Sequence, residues 1–185
     1  MKTEYRFAEA LKEMMAEVPL DSISVTTLSR KCKVSRQTFY YHFHDIYDLL
    51  TLVFLNEEMP EAEKTKNIKE LLVVVFNYYT KNKGFIDATL NSAGKELFEE
   101  FVNNVCYKTF LRFINNIQDS KKIHINDRKA VARFYSLAYS RSIVYYLATY
   151  KTKNADGLLN CFVFEPSNVF EDAMTRLHII RSKTR

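Results

Sequence analysis

Residues 34–43 read VSRQTFYYHF and follow directly after the basic run RKCK at positions 30–33. Four aromatic rings and a histidine in ten positions are compatible with a core segment, a catalytic pocket or a surface that binds another molecule. If Ser35 is the N-cap of a helix, the side chains separate by angle. Val34, Phe39 and Phe43 then face the preceding helix as core. The outward positions belong to Arg36, Gln37, Thr38, Tyr40, Tyr41 and His42.

The sequence around this stretch predicts a helix-turn-helix head. Apolar residues at helical spacing predict helices over 7–18, 25–32, 36–42 and 46–59. Pro19 ends the first helix, while Ser24 and Ser35 are the expected N-caps of the two short ones. Asp45 and Asp48 resemble a capping box that opens the longer fourth helix. Two short helices joined by a tight turn describe a helix-turn-helix motif followed by a connecting helix.

Beyond a polar stretch at 60–67, the sequence predicts a larger helical body. Its helices are expected at 71–79, 85–92, 96–117, 128–150 and 166–180. Lys83 and Gly84 are expected to break the pattern, Asp127 to cap the next long helix, and Pro166 to lie near the start of the last one. An exposed connector is predicted at 151–157 and a frayed basic tail at 181–185. The predicted fold class is therefore all-α, with a three-helix head joined to a C-terminal helical body.

The charge distribution indicates a phosphate-facing surface around the same stretch. The chain of 185 residues carries a formal net charge of +5. Residues 1–21 hold three bases and five acids, a sum of −2, whereas residues 22–44 hold four bases and no acid, a sum of +4. Such an acid-free basic window is typical of nucleic-acid binding, although a solvated helix face has the same composition.

Neither membrane insertion nor secretion is predicted. The longest apolar run, at 71–76, is far shorter than the roughly 20 residues that span a bilayer. The N-terminal segment MKTEYRFAEALKEMM mixes acids with bases and lacks the apolar region of a secretory signal. We therefore expect a cytoplasmic protein that has no membrane partner.

Catalytic and metal sites are not predicted either. His42 and His44 lie two residues apart on a helix, so they point to different sides, and only Asp45 stands beside them as a third donor. The chain has three glycines, too few for phosphate-cradling loops, and it carries no nucleophile elbow. No C-x-x-C spacing suggests zinc or a disulfide framework among the three cysteines, Cys32, Cys106 and Cys161. We expect no catalytic residue, no metal, no cofactor and no enzymatic activity.

The outward face of the third helix suits major-groove docking. An Arg can fork onto guanine, a Gln onto adenine, and a Thr methyl can contact a thymine methyl, while Tyr hydroxyls and His reach phosphate. The positive end of the helix dipole points the same way. The predicted DNA-binding residues are Ser24, Thr26, Lys33, Ser35, Arg36, Gln37, Thr38, Tyr40, Tyr41 and His42.

The segment SVTTLSRKCKVSRQTFYYHFHDIYDLL at 24–50 resembles the N-terminal domain of the tetracycline-repressor (TetR/AcrR) family. That resemblance implies an all-helical dimer, DNA contacts from the second helix of the motif, and a ligand cavity in a divergent C-terminal body. The positions that carry the resemblance are Val25, Leu28, Val34, Ser35, Thr38, Tyr40, His42, Phe43, Leu49 and Leu50.

Two positions depart from the family pattern. Lys33 stands where the family usually has Gly, at a cost of about 1 kcal/mol if the backbone there has a positive φ. Ile46 stands where the family has a Lys that often contacts phosphate. His44, or the amide groups near Asp45, would then supply the phosphate contact in its place.

The C-terminal body is expected to bind the effector and a second copy of the chain. We expect a sequence-specific regulator, acting as a repressor, with a DNA-binding domain at 1–48 and a ligand-binding and dimerisation domain at 49–185. Its partners would be double-stranded operator DNA, a small effector of unknown identity, and a second copy bound through 128–150 and 166–180. The alternative is a helix-turn-helix-fold protein that docks proteins or membrane. Candidate pocket residues, which core or dimer packing would equally explain, are Phe101, Tyr107, Phe134, Tyr135 and Tyr139.

Overall fold

The computed structural model describes residues 3–118, 120–164 and 168–183, and within these ranges the regular secondary structure is helical throughout. Short 3₁₀ turns lie at Leu20–Ser22, Pro60–Lys64 and Ser120–Lys122. The all-α prediction is confirmed. The ten α-helices of the described ranges are α1 Thr3–Met15, α2 Val25–Lys31, α3 Arg36–His42, α4 Ile46–Asn56, α5 Ile68–Lys81, α6 Lys83–Leu90, α7 Lys95–Asn116, α8 Ile125–Thr149, α9 Ala155–Asn160 and α10 Val169–Lys183.

Three of the predicted helix starts are confirmed by their hydrogen bonds. The Ser24 hydroxyl accepts from the Thr27 amide at the start of α2, and the Thr27 side chain in turn caps the Ser24 amide. Ser35 accepts from the Thr38 amide at 3.1 Å to open α3. The Asp45 carboxylate accepts from the amide three residues later at 2.9 Å, and so it caps α4. Each cap satisfies an amide that has no partner inside the helix.

Several predictions in the C-terminal half are wrong. α8 begins at Ile125 with His124 as its N-cap, so Asp127 lies inside the first turn and does not cap the helix. The predicted connector at 151–157 contains the start of α9, where the Asn154 side chain accepts from the Gly157 amide at 2.7 Å. The predicted start of the last helix at Pro166 lies outside the described residues, and α10 runs from Val169 into the predicted tail.

Gly84 lies inside α6, and the break between α5 and α6 falls just before it, at Asn82. A β-carbon at Gly84 would stand only 2.6 Å from the Ala16 carbonyl oxygen. The glycine is therefore required by the close approach of two backbones, at the contact between α1 and α6. Gly84 is thus a packing residue and not the helix breaker that the sequence pattern predicts.

The chain divides into two compact units, which we call unit 1 and unit 2. Unit 1 consists of the chain up to Glu58 together with Asn77–Phe101, and unit 2 consists of Met59–Phe76 and the chain from Val102 onward. Both units are thus built from two separate segments. The functional boundary predicted at residue 48 falls inside α4 and remains a prediction.

Unit 1 is held by an aromatic core. Phe54 of α4 stacks on Phe85 of α6 at 5.4 Å, and its ring also contacts Phe98 and Phe101 of α7. Beside these rings, the Glu57 carboxylate accepts hydrogen bonds from the Lys12 ammonium and, at 2.7 Å, from the Tyr78 hydroxyl. We call Lys12, Glu57 and Tyr78 the Glu57 cluster. It joins α1 to the C-terminal end of α4.

Unit 2 has a core of its own. Phe110 of α7 packs edge-on against Tyr139 of α8 at 5.1 Å and tilted against Phe170 of α10 at the same distance. The thiol of Cys106 is fully enclosed, and burial raises its pKa to about 12. This cysteine is therefore a neutral core residue with no nucleophilic thiolate near pH 7.

Candidate nucleic-acid interface

The turn between α2 and α3 is a Schellman motif. The Lys33 amide donates to the Arg30 carbonyl, and the Val34 amide donates to the Ser29 carbonyl, both at 3.0 Å. Lys33 has a φ of +55°, in the left-handed region that favours glycine. The sequence predicts a cost at Lys33 only if φ there is positive, and this condition is met. The cost is about 1 kcal/mol relative to glycine.

Two rings of α3 fix this helix on the head. Phe39 and Phe43 are buried, and both contact the Phe7 ring of α1 edge-on, at 5.3 and 6.1 Å between centroids. Leu28 of α2 is buried as well. These rings are core, as predicted. Because they occupy one side of α3, the other side is left for solvent.

The opposite face of α3 is exposed and polar. Arg36 and Gln37 are exposed, Thr38 is half-buried, and the Tyr41 ring is 85% exposed. Tyr40 is also exposed, with one edge of its ring against Phe39 at 5.6 Å. Within the described part of the chain, Arg36 and Gln37 have no side-chain hydrogen bond or ion pair. Their donors and acceptors are therefore available to another molecule.

Ser24 and Ser35 are the N-caps of α2 and α3. Each hydroxyl accepts a backbone amide at 3.1 Å and lies close to a threonine hydroxyl three residues later. Both side chains remain exposed, as does Thr26 in the first turn of α2. These three residues thus lie at the starts of the two motif helices.

The four basic residues of the window at 22–44 fall into two groups. Lys31 is paired with the Glu13 carboxylate of α1 at 2.8 Å, and this hydrogen bond raises the pKa of the Lys31 ammonium. Arg30, Lys33 and Arg36 are exposed and form no ion pair with any residue that the structure describes. The positive charge free for a phosphate partner is therefore that of these three side chains.

His42 does not lie with the outward set. Its Nδ1 stands 3.3 Å from a carboxylate oxygen of Glu4 on α1, and the side chain is largely covered. The contact joins the C-terminal end of α3 to the N-terminal turn of α1. His42 is thus placed to orient α3, and the phosphate contact expected of it remains a prediction.

Sequence reasoning missed two contacts that position the motif. The Arg6 guanidinium donates to the Cys32 carbonyl at 2.5 Å, and the Cys32 thiol donates to the Arg6 carbonyl at 3.6 Å. The Tyr47 hydroxyl donates to the Asp21 carboxylate at 3.0 Å, which ties α4 to the turn before α2. Burial, and then this hydrogen bond, raise the pKa of Tyr47. Their partners lie 26 positions away along the chain, beyond the reach of a local pattern.

The predicted pocket residues are distributed over several places. Phe134 and Tyr135 line a cavity of about 560 Å³ between α8 and α10, and Tyr139 lines another cavity, of about 1000 Å³, in unit 2. Phe101 is buried in the core of unit 1, and Tyr107 lies beneath the Arg133 guanidinium at 5.6 Å. The five residues do not form one site.

Among the described residues, no group of three His, Cys, Asp or Glu side chains is arranged to hold a metal ion. None of the helices in that part of the chain combines the length and apolar character that a membrane span requires.

Comparisons with known proteins agree with this geometry. Residues 66–158 match the TetR-type family model described as the transcriptional regulator C-terminal region. A solved structure titled "Dihydroxyacetone kinase operon activator DhaS" superposes with a TM-score of 0.61 at 18% identity, over 95% of this chain and 97% of that one. That likeness shows the fold. No curated protein matches the chain by sequence.

The family match and the resemblance of the head rest on different parts of the sequence. The matched region at 66–158 covers half of the chain and begins after the helix-turn-helix segment at 24–50. The structural likeness extends over nearly the whole chain. The chain belongs to the TetR family of transcriptional regulators.

Proposed function

We propose that the protein binds double-stranded operator DNA in a sequence-specific manner through α3 and represses the genes beside it. The observation that carries this proposal is the unpartnered, exposed pair Arg36 and Gln37 on the face of α3 opposite its buried rings. Arg and Gln are the side chains that make two hydrogen bonds to guanine and adenine in the major groove. Around them, Arg30 and Lys33 supply charge for the phosphate backbone.

A second copy of the chain is the proposed partner of α8 and α10. These two helices pack on each other, and α8 also carries a row of exposed apolar side chains. Phe134 is 68% exposed and Tyr145 60%, with Leu137 between them on the same helical face. Ile179 and Ile180 of α10 are exposed as well. An apolar surface of this kind is typical of an interface, and dimers read two half-sites about one DNA turn apart.

The proposed control is a small effector that binds unit 2 and alters the spacing of the two DNA-binding heads in the dimer. Coupling of this kind equals the effector's preference between the two spacings, typically about 1–3 kcal/mol, and it acts in both directions. Operator DNA should therefore change effector affinity by the same factor as the effector changes operator affinity.

Selection of bound DNA from a random pool tests the proposal. We expect enrichment of a site with two-fold symmetry, whose half-sites lie one helical turn or more apart. A reporter gene placed behind that site should be silenced when the protein is expressed. Failure to enrich any sequence would reject specific DNA binding. Increased reporter expression would reject the repressor role but leave specific DNA binding intact.

A further inference from the structure

Unit 2 contains a cavity of about 1000 Å³ that the family match does not assign to any ligand. It is lined by residues of 64–72, the C-terminal part of α7, Tyr139 of α8, residues 156–163 and the first turn of α10. A volume of this size is large enough for a drug-sized organic molecule. The cavity is therefore a candidate binding site, and its lining shows what chemistry it would accept.

One part of the cavity lining, which we call the aromatic wall, is apolar. The Phe162 ring lies face to face on the Tyr139 ring, with centroids 4.4 Å apart and an angle of 5° between the planes. Phe170 and Leu72 extend this wall, and both are buried. Flat rings and aliphatic groups bury their surface efficiently against such a wall.

The cavity also has a cationic lining. Four basic side chains line it, Lys64, Lys66, Lys69 and Arg112, against two carboxylates, Asp156 and Glu171, so the lining carries a net charge of +2. The three lysines are exposed and form no ion pair with a described residue. This uncompensated charge favours an anion in the cavity.

Arg112 is the cation whose position is best defined. Its Nη2 donates to the Ala62 carbonyl at 3.0 Å and to the Thr65 hydroxyl at 3.1 Å, while the guanidinium lies 4.8 Å from the centre of the Phe113 ring. The Nε and Nη1 donors have no acceptor among the described residues. A guanidinium held in this way is preorganised for the two-bond recognition of a carboxylate or a phosphate.

We propose that this cavity binds an organic anion with a flat apolar body. The anionic head would contact Arg112 and the lysines, and the body would lie against the aromatic wall, at Phe162. The site stands on its own geometry and rests on the proposed function only in that its ligand would be the effector. Carboxylate and phosphate heads share the chemistry, and the experiment separates them.

The test compares ligands that share one body and differ in the charge of the head. The probes are 2-naphthoate, 2-naphthyl phosphate, neutral 2-naphthol and the cationic 2-naphthylmethylamine, titrated against the full chain at pH 7. Naphthyl fluorescence can be followed without interference from tryptophan, because the sequence contains none. We expect at least one of the two anions to bind about tenfold or more tightly than naphthol, equivalent to about 1.4 kcal/mol. Anions that bind no better than naphthol or the amine, or that do not bind, overturn the proposal.

Charge variants locate the anionic head. Lys66→Gln combined with Lys69→Gln removes two exposed charges without touching the core, and we expect it to weaken the better anion about five- to tenfold. Arg112→Gln should weaken it more, whereas naphthol affinity should change less than twofold in both variants. Lys108→Gln combined with Lys129→Gln is the matched control, since both lysines are exposed and lie outside the cavity. If Arg112→Gln does not fold, as judged by circular dichroism, the double lysine variant decides the test.

Unchanged anion affinity in the lysine variant would refute the assigned site even if the anion binds. Failure of this test is distinguishable from failure of the proposed function, because operator selection is carried out without any naphthyl compound. A chain that enriches a DNA site but binds no anion keeps its proposed function and loses this inference. A chain that binds the anion but enriches no DNA keeps this inference and loses its proposed function.

Discussion

Arg36 and Gln37 are the residues on which sequence-specific reading would depend. We expect Arg36→Ala and Gln37→Ala each to weaken operator binding by about 1–3 kcal/mol and to relax the choice of base at one or two positions of each half-site. The measurement is binding to the selected site and to its single-base variants at one fixed salt concentration. Lys108→Ala and Gln118→Ala, two exposed positions in unit 2, are the controls. Variants of α3 that bind as well as the parent would exclude this helix as the reader.

Substitutions at Lys33 separate the effect of backbone strain on stability from the effect of charge on DNA binding. Lys33→Gly should raise the free energy of unfolding by about 0.5–1 kcal/mol, since glycine adopts a positive φ without strain. The same change removes a positive charge, so the salt dependence of DNA binding should fall by about one unit of slope for each protomer. Lys33→Asn, which removes the charge and tolerates the left-handed region, should give the same change of slope with a smaller gain in stability. A slope that is unchanged in both variants would show that Lys33 does not contact phosphate.

At the scale of single residues, local rules predicted part of the site. The caps at Ser24 and Ser35 were predictable because a cap depends on the next three residues alone. The exposure of Arg36 and Gln37 followed from helical geometry once α3 was in place. The position of His42 against Glu4 was not predictable, because α1 reaches it only through the packing of the whole head.

The contact between α1 and α6 can be tested through Gly84. Gly84→Ala would place a methyl group 2.6 Å from the Ala16 carbonyl oxygen, so the two helices must move apart. We expect a loss of about 1–3 kcal/mol in the free energy of unfolding, measured by denaturant titration. Gly94→Ala is the control, because its methyl group would meet the end of the Leu50 side chain, which can rotate away. Equal effects of the two substitutions would show that the backbone contact is not tight.

The Glu57 cluster predicts a change of stability at alkaline pH. Burial, and then the hydrogen bond to Glu57, raise the pKa of Tyr78 well above its ordinary value of about 10. Above that pH the unfolded chain loses the Tyr78 proton while the folded chain keeps it, so stability falls as the pH rises beyond about 10. Tyr78→Phe should cost about 1–2 kcal/mol at pH 7 and should lessen the alkaline fall.

Denaturant titrations at pH 7 and at about pH 10.5 measure both effects of Tyr78→Phe. Tyr5→Phe is the control, since Tyr5 is an exposed tyrosine of α1. An alkaline fall that is the same in the parent chain and in Tyr78→Phe would contradict the role of the cluster.

At the scale of elements, sequence predicted the existence of the long helices better than their ends. α4 ends at Asn56 and not at 59, and α9 was missed because six residues with one glycine lack a helical period. The N-cap of α8 is His124, an unfavoured capping residue, whereas Asp127, a favoured one, lies inside the first turn. Gly84 shows the general reason, because a contact that is distant in sequence decided its role.

The proposed dimer is a property of the whole molecule. We expect the chain to sediment at twice its 21.8 kDa mass at micromolar concentration. Phe134→Glu combined with Leu137→Glu places two charges on the exposed face of α8 and should yield a monomer with much weaker operator binding. Leu55→Glu, at an exposed position of α4, is the control. A parent chain that sediments as a monomer, or a double variant that remains dimeric, would reject this interface.

Unit 1 is made of two chain segments, and this limits how the protein can be recombined with its relatives. A chimera that joins residues 1–58 of this chain to a foreign body would leave behind Phe85, Phe98 and Phe101, the rings that cover Phe54. It would also lose Gly84, against which α1 ends, and Tyr78 of the Glu57 cluster. A transferable DNA-reading module therefore has to include residues 77–101 as well as 1–58. A chimera that carries over its specificity needs two further crossover points, one before residue 77 and one after residue 101.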